Sequence, residues 1–221
     1  MEDELSTAGP EQLGPPEPWS HNLHYHRVIL DAIPPGCEHA LDVGCGKGAL
    51  TRRLRRFVPH VTGIDRDERS IELASAHPGA AGIDYLLGDF LATSFEPGSL
   101  DLVTSIASLH HMDAEVALRR MSDLLRPGGV LAVVGLARSN SRADLGLIVP
   151  AVIGTRLHGV ASAWKRRGAA GRPAATYTSP VIWPPPLTYQ DMRRLSARVL
   201  ACARYRRHLY WRYSLVWAKP L

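Results

Sequence analysis

The chain has 221 residues, 45% hydrophobic and 21% charged, with a formal net charge of +5; that is enough for one ordinary domain with a sizeable core, and it excludes a disordered or fibrous protein. No apolar run reaches the roughly 18 residues needed to cross a bilayer. The acidic, proline-rich start, residues 1–20, is the reverse of a signal peptide and reads as a disordered leader before a domain at 21–221. Charge is split along the chain. Up to residue 150, 20 acids face 13 Lys and Arg, whereas beyond it Asp191 alone faces another 13. A basic final third suits an anionic substrate, a nucleic acid, a membrane surface or simply a solvated face. Cys37, Cys45 and Cys202 are odd in number and share no ligand spacing, so neither a disulfide framework nor a metal site is expected, and a reducing cytoplasm fits.

In chain order, 24–33 has helical spacing and stops at Pro34-Pro35. A short apolar run at 40–43 leads into the glycine loop 44–48 and an arginine-rich helix over 49–57. Strands are predicted at 61–64, 83–87, 100–106 and 130–136, helices at 68–76 and 114–125, and a turn at Arg126-Pro127-Gly128-Gly129. Strands alternating with helices predict an α/β protein with a mostly parallel sheet covered on both faces. The rhythm breaks over 137–186, a stretch with a weakly helical piece at 148–164; as a long insert in a compact domain it is expected to roof the substrate, together with 19–25. Trp164, Tyr177, Trp183 and Tyr189 are its candidate aromatic contacts. A helix at 187–200 and strands at 204–210 and 213–218 follow, their tight connection implying an antiparallel hairpin.

Chemistry concentrates at the strand ends, where open α/β sheets bind ligands. The loop Gly44-Cys45-Gly46-Lys47-Gly48 lets a ligand approach the backbone and points helix N–H groups at it. Asp42, two residues before the first glycine, can take up an ammonium. Asp65 ends the second strand and can accept from ribose hydroxyls; Asp89 and Phe90 end the third, where an acid meets an exocyclic amine and a ring lines a base. Amine, ribose and adenine are together the groups of S-adenosylmethionine (SAM), whose sulfonium also tolerates an acidic pocket better than a pyrophosphate would.

The segments ALDVGCGKG, VTGIDRD, YLLGDF, LDLVTSIASLHHM and LRPGGVLAVVGL resemble, in this order, the class I SAM-dependent methyltransferases, in particular the small-molecule branch that includes ubiquinone- and menaquinone-biosynthesis enzymes. The resemblance implies a Rossmann-like seven-stranded sheet ordered 3-2-1-4-5-7-6, mostly parallel, with a C-terminal antiparallel hairpin strand. It implies that Asp42, Gly44, Cys45, Gly46 and Gly48 hold the methionine moiety, that Asp65 binds ribose with Arg66 beside the adenine, and that Asp89 and Phe90 meet the adenine. Ser105, Ile106 and Ala107 would line the sulfonium, with His110 near the transferred methyl. His110 and His111 are the candidate bases, since histidine titrates in the useful range; packing against the cofactor is the other role open to them. The implied partner is a small-molecule acceptor, with no nucleic acid, no membrane span and a monomer or homodimer. The alternatives are an RNA methyltransferase using the basic third, against which stands TSIA at 104–107 in place of an Asn/Asp-Pro-Pro-Tyr motif, and a non-catalytic SAM-binding subunit.

Overall fold

The local signals in the chain account for where its elements start and stop. In the computed structural model, which describes residues 21–139, 183–209 and 211–221, the first helix α1 (His21–Leu30) ends before Pro34-Pro35. There follow β1 (His39–Val43), α2 (Ala49–Leu54), β2 (His60–Asp65), α3 (Glu68–Ser75), β3 (Ile83–Leu87), β4 (Leu100–Ile106), α4 (Ala114–Leu124), β5 (Leu125–Leu136), α5 (Tyr189–Val199), β6 (Arg204–Arg207) and β7 (Arg212–Ala218). Side-chain caps fix three helix starts by taking up amides that have no partner in the first turn. Asp67 accepts from Ser70 for α3 and Asp113 from Val116 for α4, while Thr188 and Asp191 form a reciprocal capping box on α5.

The seven strands form one sheet in the order β3-β2-β1-β4-β5-β7-β6, as the resemblance implied. Neighbours from β3 to β5 pair in parallel, and β7 runs antiparallel to both β5 and β6. The order reverses between β1 and β4, so a crevice opens there beyond the strands' carboxyl ends. Period-two alternation divides the core. Leu41, Val43, Val103 and Val133 face α4 and α5, whereas Ala40, Leu102 and Ala132 face α1 and α2.

Three expectations need correction. The 126–129 turn is absorbed into β5, because Leu125 already pairs with Leu100 ahead of a register shift and the ladder resumes at Val130. The hairpin is looser than a two-residue turn: β6 ends at Arg207, and 208–211 make the connection. Tyr25 is not exposed toward a substrate; it is buried on the α1 face of the sheet and donates its hydroxyl to the Leu209 carbonyl at 2.8 Å. The leader, the helical piece at 148–164, Trp164 and Tyr177 lie outside the described residues. The ends of the long insert are nevertheless tied together, since the Arg138 amide donates to the Leu187 carbonyl at 2.9 Å and the Tyr189 amide to the Arg138 carbonyl at 3.3 Å. No helix among the described residues is long and apolar enough to cross a membrane.

Candidate active site

The glycine loop closes the β1–β2 side of the crevice. Gly44 and Cys45 donate their amides to the Ile64 carbonyl at 2.8 and 3.1 Å, which turns the chain sharply off β1. Two of the three loop glycines are forced by packing. A Cβ on Gly44 would lie 1.9 Å from the Ser108 hydroxyl, and one on Gly48 would lie 2.2 Å from the Tyr85 hydroxyl. Gly46 differs: its φ is +53°, and nothing lies within 4 Å of where its Cβ would stand. Its free side faces open space bounded by Asp65, whose Oδ2 accepts the Gly46 amide at 2.8 Å while Oδ1 accepts the Asp67 amide at 2.9 Å. Hydrogen bonds to a charged acceptor are the stronger kind, so this carboxylate fixes the loop's shape. Tyr85 and Ser108 escaped the sequence reading, because each meets the loop from a strand or turn distant in sequence.

Asp42 sits differently from the expectation. It is 1% exposed, and its two oxygens accept the hydroxyls of Thr51 at 2.8 Å and Thr104 at 3.0 Å. It joins α2 to β4 beneath the loop rather than presenting itself to a ligand ammonium. Burial pushes its pKa up to about 6 against the help of both threonines. Phe90 also departs from its assignment: its ring is 4% exposed, packed in the core with Phe95 at 6.3 Å and under the Arg120 guanidinium at 5.4 Å, so it lines no base. Asp89 is exposed at the end of β3, with Oδ1 accepting the Leu91 amide at 2.8 Å. Arg66 is exposed beside Asp65. The Cys45 thiol is buried, and burial together with Asp42 and Asp65 pushes it up, away from any nucleophilic thiolate.

From β4 the chain reaches the site through a strained turn. The Ser105 side chain is fully buried, its hydroxyl with no hydrogen-bond partner among the described residues, and Ile106 packs against the α1 face. Ala107 takes φ +53°, a left-handed conformation that costs a non-glycine residue about 1 kcal/mol or more. Its amide is held by the Val134 carbonyl at 2.8 Å. The turn delivers a one-turn helix, Leu109–His111, whose two histidine rings lie 4.1 Å apart. The pair divides the site. His111 feels the charges of Arg66 and Asp65, on the loop side. His110 feels Arg212 and lines a separate cleft. Burial is the main cause that lowers both, His110 to about 4, so both are neutral at pH 7. The Nδ1 atoms of both are buried with no hydrogen-bond partner among the described residues.

The cleft, about 580 Å³, lies between the start of α4 and the outer face of α5. Leu109, Met112, Leu136, Met192 and Tyr213 give it an apolar floor. Of the aromatics expected to face substrate, Tyr189 is buried in the core and Trp183 is 57% exposed. Sequence reading missed this cleft, because only the sheet order brings α5 beside α4. No cluster of three or more metal-ligating side chains occurs among the described residues.

The site can be set beside known proteins. A family model described as a methyltransferase domain matches residues 41–133. Uncharacterised methyltransferases of Mycobacterium bovis and Mycobacterium tuberculosis are 33% identical over 208 residues, covering 93% of this chain and 99% of their own length. A ubiquinone biosynthesis O-methyltransferase of Ralstonia nicotianae is 35% identical over 106 residues, which span 46% of this chain and 44% of that protein. Among solved structures, an S-adenosylmethionine-dependent methyltransferase from Mesorhizobium loti is 27% identical with a TM-score of 0.46, covering 52% of this chain and 53% of that one. With full-length likeness to named methyltransferases, the chain belongs to the methyltransferase family, and its methyl donor is S-adenosylmethionine.

Proposed function

We propose that this enzyme carries a methyl group from SAM to a small-molecule acceptor lodged in the α4–α5 cleft, with the His110–His111 pair at the junction of the two sites. The observation that carries the reading is the unfilled side of Gly46 next to Asp65, with the cleft beginning on the far side of the histidines. When bound, SAM supplies an electrophilic methyl on a good neutral leaving group, so the protein's task is alignment in a dry site. The Gly44–Gly48 loop would seat the methionine end, and the carboxylates of Asp65 and Asp89 keep lone pairs for ribose hydroxyls and the adenine amine. Ala107 and the histidine helix would form the wall next to the methyl. His110, neutral and weakly basic, orients the acceptor more readily than it takes its proton. The reading places the enzyme in a reducing cytoplasm, its three cysteines as free thiols, as a monomer or homodimer acting without nucleic acid.

Calorimetric titration with S-adenosylhomocysteine tests the cofactor half. Micromolar binding is expected, and Asp65→Ala should weaken it by about 1.5–3 kcal/mol, the worth of hydrogen bonds to a charged group. Heat with NAD and none with SAM or S-adenosylhomocysteine would overturn the proposal.

A further inference from the structure

The charged groups of the cleft are unequally committed. Its three carboxylates already serve the fold: Asp113 accepts the Val116 amide at 3.0 Å, Glu115 holds Arg119 at 2.9 Å and also Arg198, and Asp191 accepts the amide and hydroxyl of Thr188 at 3.1 and 2.6 Å. Arg194 is less committed. It lines the cleft from α5, one turn before Arg198 on the same stripe; no hydrogen bond or salt bridge ties it to a described residue, although its charge acts on Asp191 three positions earlier. The surface behind it has one sign: α5 and β6 together expose Arg193, Arg194, Arg198, Arg204, Arg206 and Arg207. Asp191 is the one acid on these two elements, and its capping bonds hold it below the usual carboxylate range. Such a field draws anions toward the mouth of a half-open, low-dielectric cleft, whose own lining also carries the three carboxylates. The floor, by contrast, is mainly apolar, which favours a hydrophobic body over a sugar or a polyol.

Resting on the methyltransferase reading, we propose that the acceptor is an anion with a compact apolar body, its hydrophobic part on the Leu109–Met112–Met192–Tyr213 floor and its anionic group on Arg194. Arg194 is then the residue that selects the acceptor. A guanidinium suits this task, because its planar fork matches carboxylate, sulfonate and phosphate oxygens alike. A cationic acceptor finds no uncommitted carboxylate here.

The proposal is tested with two fluorescent probes of similar shape, anilinonaphthalene sulfonate, which is anionic, and N-phenylnaphthylamine, which is neutral. Both are titrated into the full chain saturated with S-adenosylhomocysteine. The sulfonate should bind at least about tenfold more tightly than the neutral probe. Arg194→Gln should remove about tenfold of that preference and Arg194→Lys less, leaving the neutral probe and S-adenosylhomocysteine affinity unchanged. Arg204→Gln, on β6 away from the cleft, should change neither probe. Equal affinity for the two probes, or no loss in Arg194→Gln, overturns the proposal; so does an equal loss in Arg204→Gln, which would mark a diffuse surface charge. Failure of wild-type protein to bind S-adenosylhomocysteine is a different result, and it strikes the methyltransferase reading instead.

Discussion

Replacing Asp42 by asparagine separates the two roles open to this residue. Its carboxyl is buried, and burial lifts its pKa from the ordinary 3.8 to about 6. A folded-state pKa above the unfolded value means that the group's contribution is favourable below pH 3.8 and is lost as pH rises through about 6. At pH 8 the ionised carboxylate therefore costs about 2.2 pKa units, or about 3 kcal/mol at about 1.36 kcal/mol per unit. An asparagine is isosteric and can still meet both threonine hydroxyls, accepting from one and donating to the other. Asp42→Asn should thus stabilise the protein by up to about 3 kcal/mol at pH 8, and by only about 1 kcal/mol at pH 4.5. In a chain of this size each 1 kcal/mol moves Tm by about 2–4 °C. Melting curves at the two pH values read the effect. Titration with S-adenosylhomocysteine should show less than about a threefold change, whereas loss of a direct carboxylate–ammonium bond would cost about 1.5–3 kcal/mol, more than tenfold. A variant less stable than wild type at pH 8, or equally stabilised at both pH values, would show that the threonines hold the carboxylate ionised and that the burial argument fails.

The loop glycines should separate in the same way. Gly46→Val meets no neighbour but puts a β-branched residue at φ +53°, so it should lower Tm modestly and still leave a folded protein that has lost S-adenosylhomocysteine binding; Gly48→Ala meets Tyr85 and should lower Tm, part of which Gly48→Ala/Tyr85→Phe recovers. Retained binding in Gly46→Val would place the ligand elsewhere. For His110 the folded-state pKa is depressed from 6.5 to about 4, so its contribution to stability is complete above pH 6.5 and falls away as pH drops toward 4. The NMR titration of its ring should accordingly have a midpoint below about pH 5, and the stability difference between wild type and His110→Asn should shift against wild type on acidification. A midpoint near 6.5 would restore His110 as an ordinary physiological base.

Much of the fold was legible because its signals are local. Proline pairs, capping residues and apolar runs lie within a few positions of the boundaries they set, so β3 and β4 fall where alternation placed them. What failed depended on distant partners. The stretch Arg126-Pro127-Gly128-Gly129 has every mark of a turn, yet Leu125 pairs with Leu100, and no local signal shows that. The cleft was invisible for the same reason: Arg194 and Met192 line one cleft with Asp113 and Met112 only because β7 inserts antiparallel to β5 and returns α5 to the α4 face of the sheet. Phe90 misled because an aromatic after Gly-Asp suits a base and a core equally well, and Arg120, thirty positions on, decides between them.

The site acids teach a narrower rule, one that strand geometry already contains. Asp42 is interior to β1, shares its face with Ala40, and stands in register with Thr104 of β4. An acid inside a parallel sheet cannot reach solvent, so it must find its donors there, and a threonine across the ladder with another in the first turn of the following helix supplies them. Asp65 is the last residue of β2, where the ladder stops and the side chain leaves the sheet at its carboxyl edge. There it binds backbone amides of the loop and is still half-exposed. Two aspartates that look alike as letters before a glycine loop and after a glycine are therefore divided by one position of strand. The interior one serves the fold, and the terminal one stays partly exposed at the sheet edge, as the proposed ribose contact requires.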